Sequence, residues 1–420
     1  MKKITTALTL LIATYSFAQD CSQGRYKEEI FSTISITSDI QYGSNIDKNG
    51  SNVNLLLDVY TPDNDALTDR ALIIMAHGGS FIAGSKTGSD VVDLCTDLTK
   101  KGYVVASINY RLGMNGIPFP GPDSADATES VYRAVQDGRA AVRYFRKDFT
   151  ENSNTFGIDT SQIYFGGVSA GGFIALHLAY LDDLAEFPSY VDTIGEPGLT
   201  GGLEGNSGNA GYSSKVSAIV NISGAMKDKS WATAGSTPCL SLHGNQDATV
   251  PYNTAMMYMS GIFEIMEVDG SASIASQLDA VGVINCYKQF NGADHVPHVS
   301  SAAYYDTTLT YMTGFLSQFT CGNTFDCSMG IISGFSAEIT PTGPINACDS
   351  TVLYASSDSS YSYQWLRDGN IINGETDSFL VVTDSGSYTV SITDDNFVSE
   401  LSDPVQVYLI SSPTTPIILT

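Results

Sequence analysis

The stretch Ile163-Tyr164-Phe165-Gly166-Gly167-Val168-Ser169-Ala170-Gly171-Gly172-Phe173-Ile174-Ala175-Leu176-His177-Leu178-Ala179 decides how this chain is read. It opens as a short apolar run and continues as a helix-like one, with Ser169 at the corner. A strand that turns directly into a helix around Gly-x-Ser-x-Gly is tight and strained, and the strain lifts the serine hydroxyl out of the sheet. A side chain at either flanking glycine would collide with the neighbouring strand or helix. In a chain of 420 residues with 39 Gly, the bare pattern arises by chance about 0.4 times. Its weight therefore rests on what surrounds it.

From about residue 30 to 320, apolar strand patterns alternate with helical ones. Asn54–Tyr60, Ala71–Ala76, Tyr103–Tyr110, Ala218–Ile222, Cys239–His243 and Cys286–Phe290 read as strands. Continuous apolar runs of this length suit strands buried on both faces of a parallel sheet. Val91–Lys101 and Val131–Lys147 read as helices. In the second, Val131, Val135, Gly138, Val142 and Phe145 share one face, with Arg133, Asp137, Arg143 and Lys147 largely elsewhere. The alternation predicts a doubly wound, mostly parallel α/β sheet. The Gly-, Asn- and Ser-rich stretch 183–214 is too long for an ordinary connection. It is expected to be either a cap over the site or a disordered surface loop.

The pattern changes after Cys327. Residues 331–420 hold eleven acidic side chains against one basic, Arg367. Short strand-like runs follow at Tyr361–Trp365, Phe379–Val382, Asp384–Val390 and Val405–Val407, separated by turn signals, and predict a small all-β sandwich. Trp365 followed by Asp384-Ser385-Gly386-Ser387-Tyr388 resembles an immunoglobulin-like domain, with Tyr388 in the tyrosine-corner position. Cys348 stands where that domain has its first cysteine and Val390 where it has its second, so an inter-sheet disulfide is not expected.

Met1-Lys2-Lys3, the apolar run Ile4–Phe17 and the exit Ala18-Gln19-Asp20 read as a secretory leader cut after Ala18. The expected organisation is a leader at 1–18, a catalytic domain at 19–328, and a sandwich with a linker-like Ser411-Ser412-Pro413-Thr414-Thr415-Pro416 tail at 329–420. A net charge of −25 argues against a nucleic-acid partner, because phosphate contacts need clustered Lys and Arg. No later segment is apolar enough to insert stably in a membrane. With seven cysteines, at least one is unpaired within the chain. Cys286, Cys321 and Cys327 lie close enough in sequence for a bridge between two of them. No His/Cys spacing suggests a metal, and no cofactor is implied.

Ser169 is a poor nucleophile unless a base takes its proton, an acid orients the base, and donors meet the developing oxyanion. Five histidines are available. His295 lies in Asn291-Gly292-Ala293-Asp294-His295, just past the last expected strand, and His298 is its competitor. His177, His243 and His77 are better explained by packing. Asp247, in His243-Gly244-Asn245-Gln246-Asp247, follows a buried strand and a Gly turn, with Asp294 a weaker rival. His77-Gly78-Gly79-Ser80-Phe81 follows the strand Ala71–Ala76, where backbone N–H groups can face a developing charge.

Together, His77-Gly78-Gly79-Ser80-Phe81, Ile108-Asn109-Tyr110-Arg111-Leu112, Gly167-Val168-Ser169-Ala170-Gly171, His243-Gly244 with Asp247, and His295 resemble the carboxylesterase and lipase side of the α/β-hydrolase superfamily. The chain is similar to single-domain bacterial esterases that share Leu57-Asp58-Val59-Tyr60 and His77-Gly78-Gly79, several of which resemble secreted acetyl-xylan or feruloyl esterases. The resemblance covers about residues 45–318. It implies Ser169, Asp247 and His295 as catalytic residues, in that chain order, and Gly79, Ser80 and Ala170 as oxyanion donors. Ser80 departs from the commoner all-glycine form. The implied activity is hydrolysis of a small-molecule or polysaccharide-linked ester, with short acyl chains favoured because no apolar cap is evident. A peptidase of the same fold and a non-catalytic adhesion module are the alternatives. The leader, sandwich and Pro/Thr tail resemble secreted or surface enzymes exported by the type IX route.

Overall fold

A computed structural model describes residues 21, 24–116, 121–259, 263–328, 331–332, 337–357, 361–393 and 399–410. The expected leader at 1–18 and the tail at 411–416 lie outside the described residues. The strands of the first part are β1 (Ile34–Ile46), β2 (Asn52–Pro62), β3 (Arg70–Ala76), β4 (Val104–Ile108), β5 (Ile158–Val168), β6 (Ala218–Ile222), β7 (Ala225–Met226), β8 (Cys239–Gly244), β9 (Ala255–Met259), β10 (Phe263–Gly270) and β11 (Asn285–Phe290). Its helices are α1 (Ser89–Lys100), α2 (Ser124–Glu151), α3 (Ala170–Tyr180), α4 (Ser271–Ala280) and α5 (Ala302–Cys321).

Eight strands form one sheet in the order β1-β2-β4-β3-β5-β6-β8-β11. The last six run parallel, and β2 is antiparallel to both β1 and β4. The expected doubly wound, mostly parallel sheet is therefore present. Its strands bury both faces by alternation. In β3, Leu72, Ile74 and Ala76 enter the core beneath α2 and α3, while Ala71, Ile73 and Met75 enter the core beneath α1 and α5. The chain reverses direction across the sheet around β3, so loops at the carboxyl ends of β3 and β5 open into one crevice. Register places Ala76 opposite Gly167, Ile222 opposite Val168 and Leu242, and Phe290 opposite Gly244. The loops after β3, β5, β8 and β11 thus emerge at one edge.

The Gly-rich stretch is neither of the two expected forms. It is pinned onto α2 by side chains on that helix's polar face. Arg133 donates to Pro197 O at 2.9 Å, Gln136 to Leu199 O at 3.0 Å, Arg139 to Leu203 O at 2.7 Å, and Arg143 to Gly208 O at 2.9 Å. Asp137 pairs with Arg111 at 2.8 Å, with both side chains fully buried, and accepts from Ser207 Oγ at 2.5 Å. The polar face of α2 is an interior surface whose partners are backbone carbonyls.

Two disulfides close this part: Cys286–Cys327, within the trio singled out above, and Cys21–Cys321. Cys95, Cys239 and Cys348 are free thiols. The described residues between 337 and 410 form two further sheets around a separate core. A three-stranded sheet (Ile339–Thr340, Thr351–Ala355, Phe379–Val382) faces a larger one built on Ser362–Arg367, Gly386–Thr393 and Val405–Ile410. Trp365, Leu353, Leu380, Tyr388 and Val390 fill the space between. The Tyr388 hydroxyl donates to Asp384 O at 2.7 Å. No helix of the described residues is long and apolar enough to cross a membrane.

Candidate active site

Ser169 follows β5 and stands at the N-cap of α3 with φ 53° and ψ −114°, a conformation L-residues avoid unless the surroundings impose it. Close packing imposes it here. A Cβ on Gly167 would lie 2.1 Å from Gly171 O, and one on Gly171 would lie 2.0 Å from Ala76 O. Only glycine allows β5, α3 and β3 to meet at this corner.

His295 lies in the loop after β11, and its Nε2 stands 2.8 Å from Ser169 Oγ. Its Nδ1 stands 2.6 Å from Asp247 Oδ2. An ionised carboxylate can only accept, so Nδ1 carries the proton and Nε2 offers its lone pair to the serine hydroxyl. Asp247 Oδ1 accepts from the N–H groups of Thr249 and Val250, both at 2.8 Å. Burial works against ionising Asp247, yet the hydrogen bonds from His243 and His295 hold its carboxyl well below the usual carboxylate range. The next residue, Val296, has φ 53° and donates its N–H to Ser223 Oγ at 3.2 Å. That strained turn sets the direction of the His295 loop.

The two competitors hold other positions. Asp294 Oδ1 accepts from Ala248 N at 3.0 Å and His295 N at 2.7 Å, stapling the two loops together. His298 Nε2 lies 2.9 Å from Asp90 O, and the side chain is buried away from Ser169.

The His77–Phe81 loop follows β3. Tyr110 donates to His77 O at 2.9 Å and stacks on the His77 ring at 4.4 Å, while Asp90 accepts from Gly78 N at 2.7 Å. Gly79, Ser80 and Phe81 all have positive φ. Among the described residues, none accepts a hydrogen bond from the N–H of Gly79, Ser80 or Ala170. Ser80, Ala170 and Ser169 share the wall of one cavity. The N–H of Ala170 also lies at the first turn of α3, where the helix dipole favours negative charge.

That cavity, about 520 Å³, is mostly apolar, lined by Phe81, Met114, Val131 and Phe173 together with Met257, Ile265 and Met266. The last three come from the β9–β10 hairpin, which sequence reading missed. No residue of 183–214 lines it, so the expectation that this stretch shapes the site is corrected. Residues 112–126 contribute Met114. Among the described residues no cluster of three His, Cys, Asp or Glu could hold a metal.

Residues 57–235 match the BD-FAE family model. Carboxylesterase 3B of Mus musculus is 32% identical over 125 residues, which are 30% of this chain and 20% of that protein. Neuroligin-like protein glit-1 of Caenorhabditis elegans is 31% identical over 119 residues, 28% of this chain and 14% of that protein. The chain thus spans a fifth or less of the length of these two relatives. Among solved structures, Thermogutta terrifontis esterase 2 phosphorylated by paraoxon aligns at 20% identity and TM-score 0.48, covering 70% of this chain and 96% of that one. A truncated carbohydrate esterase from gut microbiota aligns at 22% identity and TM-score 0.48, covering 70% and 98%. The family model covers less than half of this chain, and the curated relatives it resembles include a carboxylesterase.

Proposed function

We propose that this chain is a serine carboxylic-ester hydrolase working through an acyl-enzyme. The observation that carries this reading is the unbroken run Ser169 Oγ–His295 Nε2–Asp247, at 2.8 and 2.6 Å, opening on an apolar cavity. Ser169 Oγ attacks the ester carbonyl carbon as its proton passes to His295 Nε2. Asp247 stabilises the imidazolium, and the N–H groups of Ser80, Gly79 and Ala170 receive the oxyanion. The intermediate collapses as His295 returns the proton to the departing alcohol. Water then attacks the acyl carbon as its proton passes to His295 Nε2, and His295 returns that proton to Ser169 Oγ as the acyl–serine bond breaks and the acid leaves.

The acyl group occupies the cavity under the β9–β10 hairpin. This hairpin is the apolar cover whose absence had favoured short chains, so the preferred acyl groups extend beyond acetyl. The alcohol side faces the opening, where a carbohydrate-linked ester can be held. Cys21–Cys321, three residues past the expected leader cut, suits an oxidising compartment and supports export. We read the second unit, from about residue 329, as an immunoglobulin-like domain on the strength of Trp365 and the Tyr388–Asp384 bond.

The test is turnover of p-nitrophenyl esters against aminoacyl-nitroanilides by the full chain and its Ser169→Ala variant. Ester turnover lost in the folded variant, with anilides untouched by either protein, is expected. Undiminished ester turnover by S169A overturns the reading, and anilide turnover above ester turnover replaces it with a peptidase.

A further inference from the structure

We propose that His243 is a positioning residue for Asp247, a second imidazole that locks the carboxylate in the orientation His295 requires. His243 stands at the end of β8 with no solvent exposure. Its Nε2 lies 3.0 Å from Asp247 Oδ2 and 3.1 Å from Val250 O. Both neighbours can only accept, so Nε2 carries the proton and divides it between them. The other nitrogen fits that assignment. Nδ1 lies 2.7 Å from Ser271 Oγ, which also receives Asn221 Nδ2 at 3.0 Å. The Asn221 amide is oriented independently, because its Oδ1 accepts from Gly224 N at 2.9 Å. Its nitrogen therefore donates to Ser271, and the serine hydrogen turns toward His243 Nδ1.

The hydrogen bonds run in one direction, from Asn221 through Ser271 and His243 to Asp247. A second run reaches the same oxygen from Ser169 through His295. Asp247 accepts four N–H groups: Thr249 and Val250 on Oδ1, and two imidazoles on Oδ2. Swinging the carboxylate breaks several of these at once. Without the His243 proton, Oδ2 keeps His295 alone, and the carboxylate is anchored from one side by its own loop. A buried network that loses one member loses more than one pairwise bond. Nothing in the stretch Leu242-His243-Gly244-Asn245-Gln246-Asp247 separates this role from simple packing. It follows from β6, β8 and α4 bringing Asn221, His243 and Ser271 together.

The test has two arms. The ring-nitrogen NMR shifts of ¹⁵N-histidine in the full chain should show His243 protonated at Nε2 and bare at Nδ1, and the opposite tautomer overturns the proposal. The kinetic arm uses two amides and rests on the ester-hydrolase reading. A glutamine amide nitrogen reaches the Nε2 position and can still donate to Asp247. An asparagine amide reaches only the Nδ1 position. His243→Asn should lower kcat by about 10- to 100-fold, the range seen when the hydrogen-bond partners of metal-ligating side chains are removed. KM should stay within about twofold, because His243 does not line the cavity. His243→Gln should recover most of the loss. Equal kcat losses in both variants, or a loss carried by KM, overturn the proposal. Should neither variant fold, the shifts of the unaltered chain decide alone. A chain with no ester turnover would instead defeat the functional reading, while the shifts still test the hydrogen-bond assignment.

Discussion

His177 offers a quantitative test of how the nucleophile-bearing helix is held. It lies two turns into α3, 3% exposed, with Nδ1 2.8 Å from Phe173 O and Nε2 accepting from Lys227 N at 3.4 Å. Phe173, Tyr132 and Trp231 surround the ring. Burial brings its pKa down to about 4, against the pull of the Phe173 carbonyl. An unfolded histidine titrates near 6.5. Between those values the unfolded chain binds a proton that the native chain refuses. Stability is therefore full above pH ~6.5, falls as the pH drops toward 4, and loses nothing further from this group below that. A difference of about 2.5 pH units corresponds to roughly 3 kcal/mol, most of it lost between pH 7.5 and 4.5. The assay is urea unfolding at those two pH values, with and without His177→Gln. The chain has two Trp, so Trp365→Phe leaves Trp231, 5.6 Å from the His177 ring, as the reporter. Other titrating groups are common to both proteins and cancel. The unaltered helix should lose roughly 2–3 kcal/mol more than the variant on acidification. Identical losses would refute a neutral, buried His177.

The cavity predicts specificity. Met257→Trp fills part of its 520 Å³ and should cut the octanoate-to-acetate ratio of kcat/KM by at least about tenfold, since one methylene in an apolar pocket is worth about 10- to 200-fold; a p-nitrophenyl ester panel reads it. Cys21–Cys321 closes a loop of 300 residues, and the chain-entropy account gives it at most about 6 kcal/mol. Cys21→Ser with Cys321→Ser should lower the urea midpoint accordingly while leaving KM within about twofold.

The parts of the fold that were legible in the sequence carry their signal in side chains alone. The runs Ala71–Ala76, Ala218–Ile222 and Cys239–His243 are apolar on both faces because helices cover both faces, and they appear as β3, β6 and β8. Ser169, Asp247 and His295 were identifiable as residues following such strands, and the fold brings them within hydrogen-bonding reach. The missed features have partners that leave no mark on composition. The arginines of α2 look like a solvated face because they bind carbonyls of 197–208. The β1 pattern is blurred by bulges at Thr37/Ile40 and Gln41/Gly43. The β9–β10 hairpin has a Met-rich pattern with no helical or strand period strong enough to mark it. His243 looked like packing because its link to Ser271 spans 28 residues and the Asp247 oxygen it donates to is shared with His295, 48 positions past Asp247.

The most direct measurement is the reaction of the full chain with diethyl p-nitrophenyl phosphate, followed by mass spectrometry of the digested protein. A polarised hydroxyl at the β5–α3 corner should release one nitrophenolate per chain, carry the phosphoryl group on Ser169, and lose ester turnover in step. A folded protein that hydrolyses esters while Ser169 stays unmodified, or that is labelled elsewhere as turnover falls, would contradict the assignment.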